Sequence, residues 1–199
     1  MKSNVCKIEK GSHDLEMILR ESEKVAVYNE LTHKQTLQMR LLCEEIDGML
    51  PQIVDDFDGR LWIEFEEGVC KVNVSLQVAG LTTGKKEKLI DLAKNKKNAE
   101  AVGILGKIRS KVEDFFLADD TTLDYTMCAG QFHLATGYND GVDYYYIWSL
   151  NQYRTSINKE EQAEKWDELE KSVIASVADD VMVGVKGNQV HIVIVKKFA

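Results

Sequence analysis

Leu61-Trp62-Ile63-Glu64-Phe65-Glu66-Glu67-Gly68-Val69-Cys70-Lys71-Val72-Asn73-Val74-Ser75-Leu76-Gln77-Val78 carries the strongest pattern in this chain. Leu61, Ile63 and Phe65 alternate, and Cys70, Val72, Val74, Leu76 and Val78 alternate again. A period of two belongs to a strand with one face buried. Glu66-Glu67-Gly68-Val69 between the runs holds the glycine that a tight hairpin turn requires. The stretch therefore predicts an antiparallel hairpin, one face against a core and the other wet or packed differently.

Upstream, Thr32 with Gln35 three residues on has the form of a capping box and opens a helix predicted to reach about Phe57. Met39, Leu42, Cys43, Ile46, Met49, Leu50 and Ile53 supply its apolar stripe at the 3.6-residue period. Pro51 lies inside this run and predicts a kink or an end near Leu50. Residues 1–31 are polar and mixed, with a weak helical pattern around Leu15 to Glu23. Downstream, helical periodicity returns over Lys85–Leu92 and Ala99–Phe116, the latter through Ala101, Ile104, Leu105, Ile108, Val112 and Phe115. The stretch from Asp119 to Asn151 is rich in aromatics, and Tyr144 to Leu150 reads as a strand entering the core. A helix is predicted over Lys159–Val177, and a closing hairpin pairs Val181, Val183 and Val185 with Val190 to Val195 across Gly187-Asn188.

These elements predict one α+β domain over residues 1–199: a two-layer sandwich whose mixed, mainly antiparallel sheet carries helices 32–57, 99–116 and 159–177 on one face. Residues 1–31 are an N-terminal elaboration, 32–198 the core, and 119–151 an aromatic-rich insertion.

Composition narrows the function classes. The 199 residues hold 25 Lys plus Arg against 33 Asp plus Glu, a net charge of −8, so a general nucleic-acid binder is excluded. No run approaches the length of a membrane span, and Met1 to Lys7 lacks the apolar segment of a signal peptide, which makes a cytoplasmic location the expectation. The four cysteines, Cys6, Cys43, Cys70 and Cys128, have no zinc-ligand spacing, and Cys43 and Cys70 fall on apolar stripes. No nucleophile elbow or Walker-type loop occurs, and His13, His33, His133 and His191 are scattered. No metal site is expected.

The element order, a long helix with an acidic pair, a hairpin, a glycine-containing helix start and a closing hairpin, resembles the histidine-kinase-type ATPase fold. That fold is shared by sensor kinases, anti-sigma-factor kinases, gyrase B and heat-shock-90 proteins; the bacterial anti-sigma-factor kinase domains are the nearest in character. The carriers are the helix stretch Leu41 to Leu50, Val102-Gly103-Ile104-Leu105-Gly106-Lys107-Ile108, and the hairpin 181–195. In that family one helix carries Glu-x-x-x-Asn: the glutamate acts on the attacking water and the asparagine holds Mg²⁺ against the phosphates. Glu45 matches the glutamate, while Met49 stands at the asparagine's place. Projected around the helix, Glu45 and Met49 share one shoulder of the stripe and Glu44 points to the opposite side. A thioether is too soft a ligand for Mg²⁺.

The family's Asp-x-Gly-x-Gly, whose aspartate reads adenine, corresponds to Val78 through Gly84, which keeps Gly80 and Gly84 but has no aspartate. Gly103 and Gly106 correspond to the glycine-rich helix start that holds phosphates. The resemblance thus implies a bacterial cytoplasmic regulatory protein with degenerate nucleotide motifs, acting through a protein partner, a homodimer included, and with no cofactor. Two alternatives stand beside it: an anti-sigma-type serine kinase that binds Mg-ATP through divergent motifs, and a small-molecule-binding protein of unrelated function.

Overall fold

The structure, a computed structural model, describes residues 1–11, 15–78, 103–117, 131–137, 141–157, 167, 169 and 172–198. The helix expected over 85–92 and the glycines Gly80 and Gly84 lie outside them. The elements are β1 (Cys6–Glu9), α1 (Leu15–Tyr28), α2 (His33–Ile53), β2 (Phe57–Glu66), β3 (Val69–Val78), α3 (Gly103–Leu117), α4 (Gln131–Thr136), β4 (Tyr145–Ser149), α5 (Leu150–Ser156), α6 (Val173–Val177), β5 (Asp180–Lys186) and β6 (Gln189–Lys197). The strands form one sheet in the order β1-β2-β3-β6-β5-β4. The α+β class holds. The sheet is not mixed, however: every pairing among the described strands is antiparallel.

The hairpin 61–78 forms as its alternation requires, and Glu67 and Gly68 both take positive φ, 49° and 76°, in its turn. Two central residues with positive φ match the right-handed twist of the flanking strands. Cys70, Val72, Val74 and Leu76 face the helices from β3 and are fully buried; Val190, Ile192 and Ile194 join them from β6, and Val181, Val183 and Val185 from β5. α2 supplies the other half of this core through Met39, Leu42, Cys43, Ile46, Met49, Leu50 and Ile53. Its capping box at Thr32 and Gln35 is present in full.

Further expectations are corrected. The helix does not reach Phe57: α2 ends at Ile53, and Phe57 already pairs with Val78 in β2, because the hairpin ladder extends further back than the alternation shows. Pro51 sits in the last turn without ending the helix before it. In residues 1–31 the helix expected around Leu15 to Glu23 is α1, which packs along α2, and β1 adds an edge strand on β2; together they bury Cys6, Ile8, Ile18, Val25 and Ala26. β1 escapes a sequence reading because only Cys6 and Ile8 alternate in it, too short a period to register. The single helix over 159–177 is interrupted at Ser172, which is extended (φ −78°, ψ 119°) and caps α6 by accepting a hydrogen bond from the Ala175 N–H.

The layers differ as well. Helices do not cover only one face: α4, in the aromatic-rich insertion, lies on the other, where Phe132 packs with Tyr144, Met182, Val193 and Val195. Gly184 makes this possible, for a Cβ there would stand 2.8 Å from the Phe132 ring and 2.9 Å from Tyr144 Cβ. A strand glycine often marks such a close approach.

Candidate functional site

α2, which carries the candidates Glu45 and Met49, and α3, which carries Gly103 and Gly106, pack against each other. Met49, one turn beyond Glu45, points into the core with 2% of its surface exposed. Glu45 is half-buried. The two residues do share one side of α2, but only Glu45 retains contact with solvent. Gly103 opens α3 with φ of 73°, a left-handed conformation that favours glycine, and Gly106 follows in the first turn. Gly80 and Gly84, expected near them, are outside the described residues.

The residue that ties this junction together is one that sequence reasoning missed. Arg109 on α3 donates to Glu113 (2.7 Å), to Asp55 just beyond α2 (3.1 Å) and to the Gln52 carbonyl (3.4 Å). Partial burial works against its charge, but Glu113 and Asp55 outweigh that and raise its pKa. The arginine fastens the end of α2 to α3, and its i,i+4 partner Glu113 was the legible signal.

The second face of the sheet is chemically different. His191 is fully buried there, and its ring meets Trp62 (5.6 Å between centroids), Phe132 (5.8 Å) and Tyr144 (5.4 Å), all edge-on. Edge-to-face contacts suit the positive rim of one ring against the negative face of another. Asn73, also fully buried, donates through Nδ2 to the Lys71 carbonyl (3.3 Å), while its Oδ1 has no hydrogen-bond partner among the described residues. Glu64 accepts from Trp62 Nε1 at 3.0 Å and pairs with Lys2 at 3.0 Å. Burial pushes its carboxyl pKa up, but Lys2 and Trp62 prevail and hold it below the usual value. Lys71 reaches over to the Thr136 carbonyl at 2.7 Å and so anchors the end of α4. His191 was readable only as a polar residue among the alternating valines and isoleucines of the last strand.

Clefts open to solvent among the described residues. One, of about 490 Å³, lies over β1, β2 and β3 and is lined by Lys7, Asp58, Arg60, Ser75, Gln77 and Gln189. Another, of about 530 Å³, lies between α3, β4 and α5. Neither contains Glu45, Met49, Gly103 or Gly106.

Cys6, Cys43 and Cys70 are buried. Burial drives the Cys43 thiol pKa far up and that of Cys70 to about 12, so neither forms a thiolate near neutral pH. No group of three His, Cys, Asp or Glu side chains suited to a metal occurs among the described residues, and no described helix is long and apolar enough to cross a membrane. The chain matches no family model, no curated protein and no solved structure.

Proposed function

We propose that this chain is a regulatory protein on a histidine-kinase-like ATPase scaffold that has lost nucleotide chemistry and acts by binding another protein. The observation that carries this reading is the burial of Met49. It occupies the place that the resemblance gives to the magnesium-holding asparagine, and its side chain is part of the core. A soft thioether turned inward leaves no hard oxygen for Mg²⁺ at that position. In phosphoryl transfer the metal neutralises charge on the transferred group, and loss of one positioned electrostatic stabiliser costs about 10²- to 10³-fold in rate. Glu45 can orient a water, but it has no polarised phosphate to direct the water toward.

The Gly103 conformation at the head of α3 is what favours the competing reading, an ATP-binding serine kinase with divergent motifs. Two measurements separate them. A nucleotide bound at a hundred times its dissociation constant stabilises by about 2.7 kcal/mol, a readily visible thermal shift. The regulatory reading expects no shift with Mg-ATP and no phosphate release. Turnover that disappears in Glu45→Gln would overturn it and establish the kinase reading instead.

A further inference from the structure

Residues 107, 110, 111 and 114 of α3 are spaced so that they share one flank of the helix. Arg109 uses the opposite flank to reach the end of α2. The 107–114 flank faces β4 and α5 across the cleft of about 530 Å³, a volume within the usual range of small-molecule sites. The cleft is therefore separate from the α2–α3 junction.

Among the described helices, i,i+4 ion pairs join Glu16 with Arg20, Arg40 with Glu44 and Arg109 with Glu113. Arg20 and Lys24 on α1 are like charges at the same spacing, but each pairs with a glutamate, Glu16 and Glu21. Lys107 and Lys111 are also like charges one turn apart, an arrangement that disfavours the helix. Among the described residues, neither has a carboxylate within 4 Å. Both line the cleft in a protein whose net charge is −8.

The opposite wall is aromatic. Trp148 and Tyr153 both line it, with ring centroids 6.0 Å apart and planes inclined by 37°. Their presentation depends on an irregularity in the edge strand: the β4–β5 register shifts between Tyr146 and Trp148, so that Ile147 and Trp148 both border the cleft. Strand bulges re-aim side chains in this way and gather beside functional sites. Ser149 is already engaged, accepting from the Gln152 N–H at 3.1 Å and lying 3.3 Å from Asp180 Oδ1, so it is a structural cap.

We infer that this cleft binds a small aromatic phosphate, its ring against Trp148 and Tyr153 and its phosphate between the ammonium groups of Lys107 and Lys111. A phosphate near neutral pH carries up to two negative charges, which two lysines one turn apart can answer, and lysine binds phosphate as a point charge. Asp114 borders the far end of the cleft and repels the anion, which places the phosphate toward Lys107.

The test uses the full chain labelled with ¹⁵N. The protein has three tryptophans, so three indole N–H signals are expected, and Trp148→Phe identifies the relevant one. Phenyl phosphate is titrated first, then phenol and inorganic phosphate separately. Phenyl phosphate should shift the Trp148 signal saturably, with each fragment alone at least about tenfold weaker, because both halves of the site contribute. The double variant Lys107→Gln/Lys111→Gln should weaken phenyl phosphate about tenfold or more while the other two indole signals stay in place and report an intact fold. A Trp148 signal that phenyl phosphate does not move, or that moves equally in the double variant, would overturn the assignment.

Discussion

The two faces of the central sheet are built by the same six strands yet by different means. Toward α1, α2 and α3, the strands present valine, isoleucine and leucine, and the helices answer with a continuous apolar stripe. Toward α4, the same strands present Trp62, Glu64, Lys71, Asn73, His191 and Met182, and a six-residue helix pins one ring, Phe132, onto a bare glycine. The first face depends on quantity of buried apolar surface, which tolerates local change as long as volume is kept. The second depends on a few fitted contacts, so its stability is concentrated in single residues. Polar groups buried there, Asn73 Oδ1 among them, cost free energy that an apolar face does not incur.

The largest effect belongs on the first face. Ile46→Asp places an unpaired carboxylate at a fully buried position of α2. Several kcal/mol are set against a total stability of roughly 5–15 kcal/mol, so the domain should be unfolded by circular dichroism at room temperature. A folded Ile46→Asp protein would mean that the helix-covered core is far less close-packed than its burial indicates.

Gly184→Ala comes next and tests the second face. The added methyl meets the Phe132 ring and Tyr144 Cβ below 3 Å, and the expected loss is about 1–3 kcal/mol in urea unfolding. Combined with Phe132→Ala, which removes one side of the clash, the two changes should be strongly non-additive. Simple additivity would show that α4 does not press on β5.

A smaller, pH-dependent contribution ties the N-terminus to α1. Glu21 is held below the usual carboxylate range by Lys24 at 2.5 Å, then by the Asn4 backbone N–H (3.0 Å) and side chain (3.2 Å), against burial pushing upward. A depressed folded-state pKa gives stability that is fully present above the unfolded value, about 4.3, and lost as pH falls through the folded value. Glu21→Gln should therefore be less stable than the parent at pH 7, and the gap should close on acidification below about pH 4. A gap that is constant with pH in urea titrations would show that shape, and not charge, fastens Asn4 to α1.

Least affected should be Glu44→Ala. Its carboxylate lies on the outer side of α2, 40% exposed, and pairs with Arg40 at 3.1 Å. Exposed i,i+4 pairs contribute about 0.3–0.5 kcal/mol. A loss comparable to that from Ile46→Asp would put the helical phase of α2 in error.

Periodicity, turn glycines and capping boxes are local properties, and the parts of this protein that depend on them are legible in the sequence alone. The hairpin 61–78, the closing hairpin, the stripe of α2 and the burial of Cys43 and Cys70 all follow from spacing along a few residues. The inward direction of Met49 is only half legible: the helical projection puts it beside Glu45 on a shoulder, but the extent to which its neighbours enclose it is set by α2 packing on the sheet. The remaining features join residues far apart in the chain. Cys6 finds Leu61 across a ladder, Phe132 finds Gly184, and Lys107 comes to share a cleft with Trp148. Such contacts form because strands from distant segments pair and then leave room, or none, above a given position. No pattern within a short window encodes that room, which exists only once all six strands and their helices are assembled.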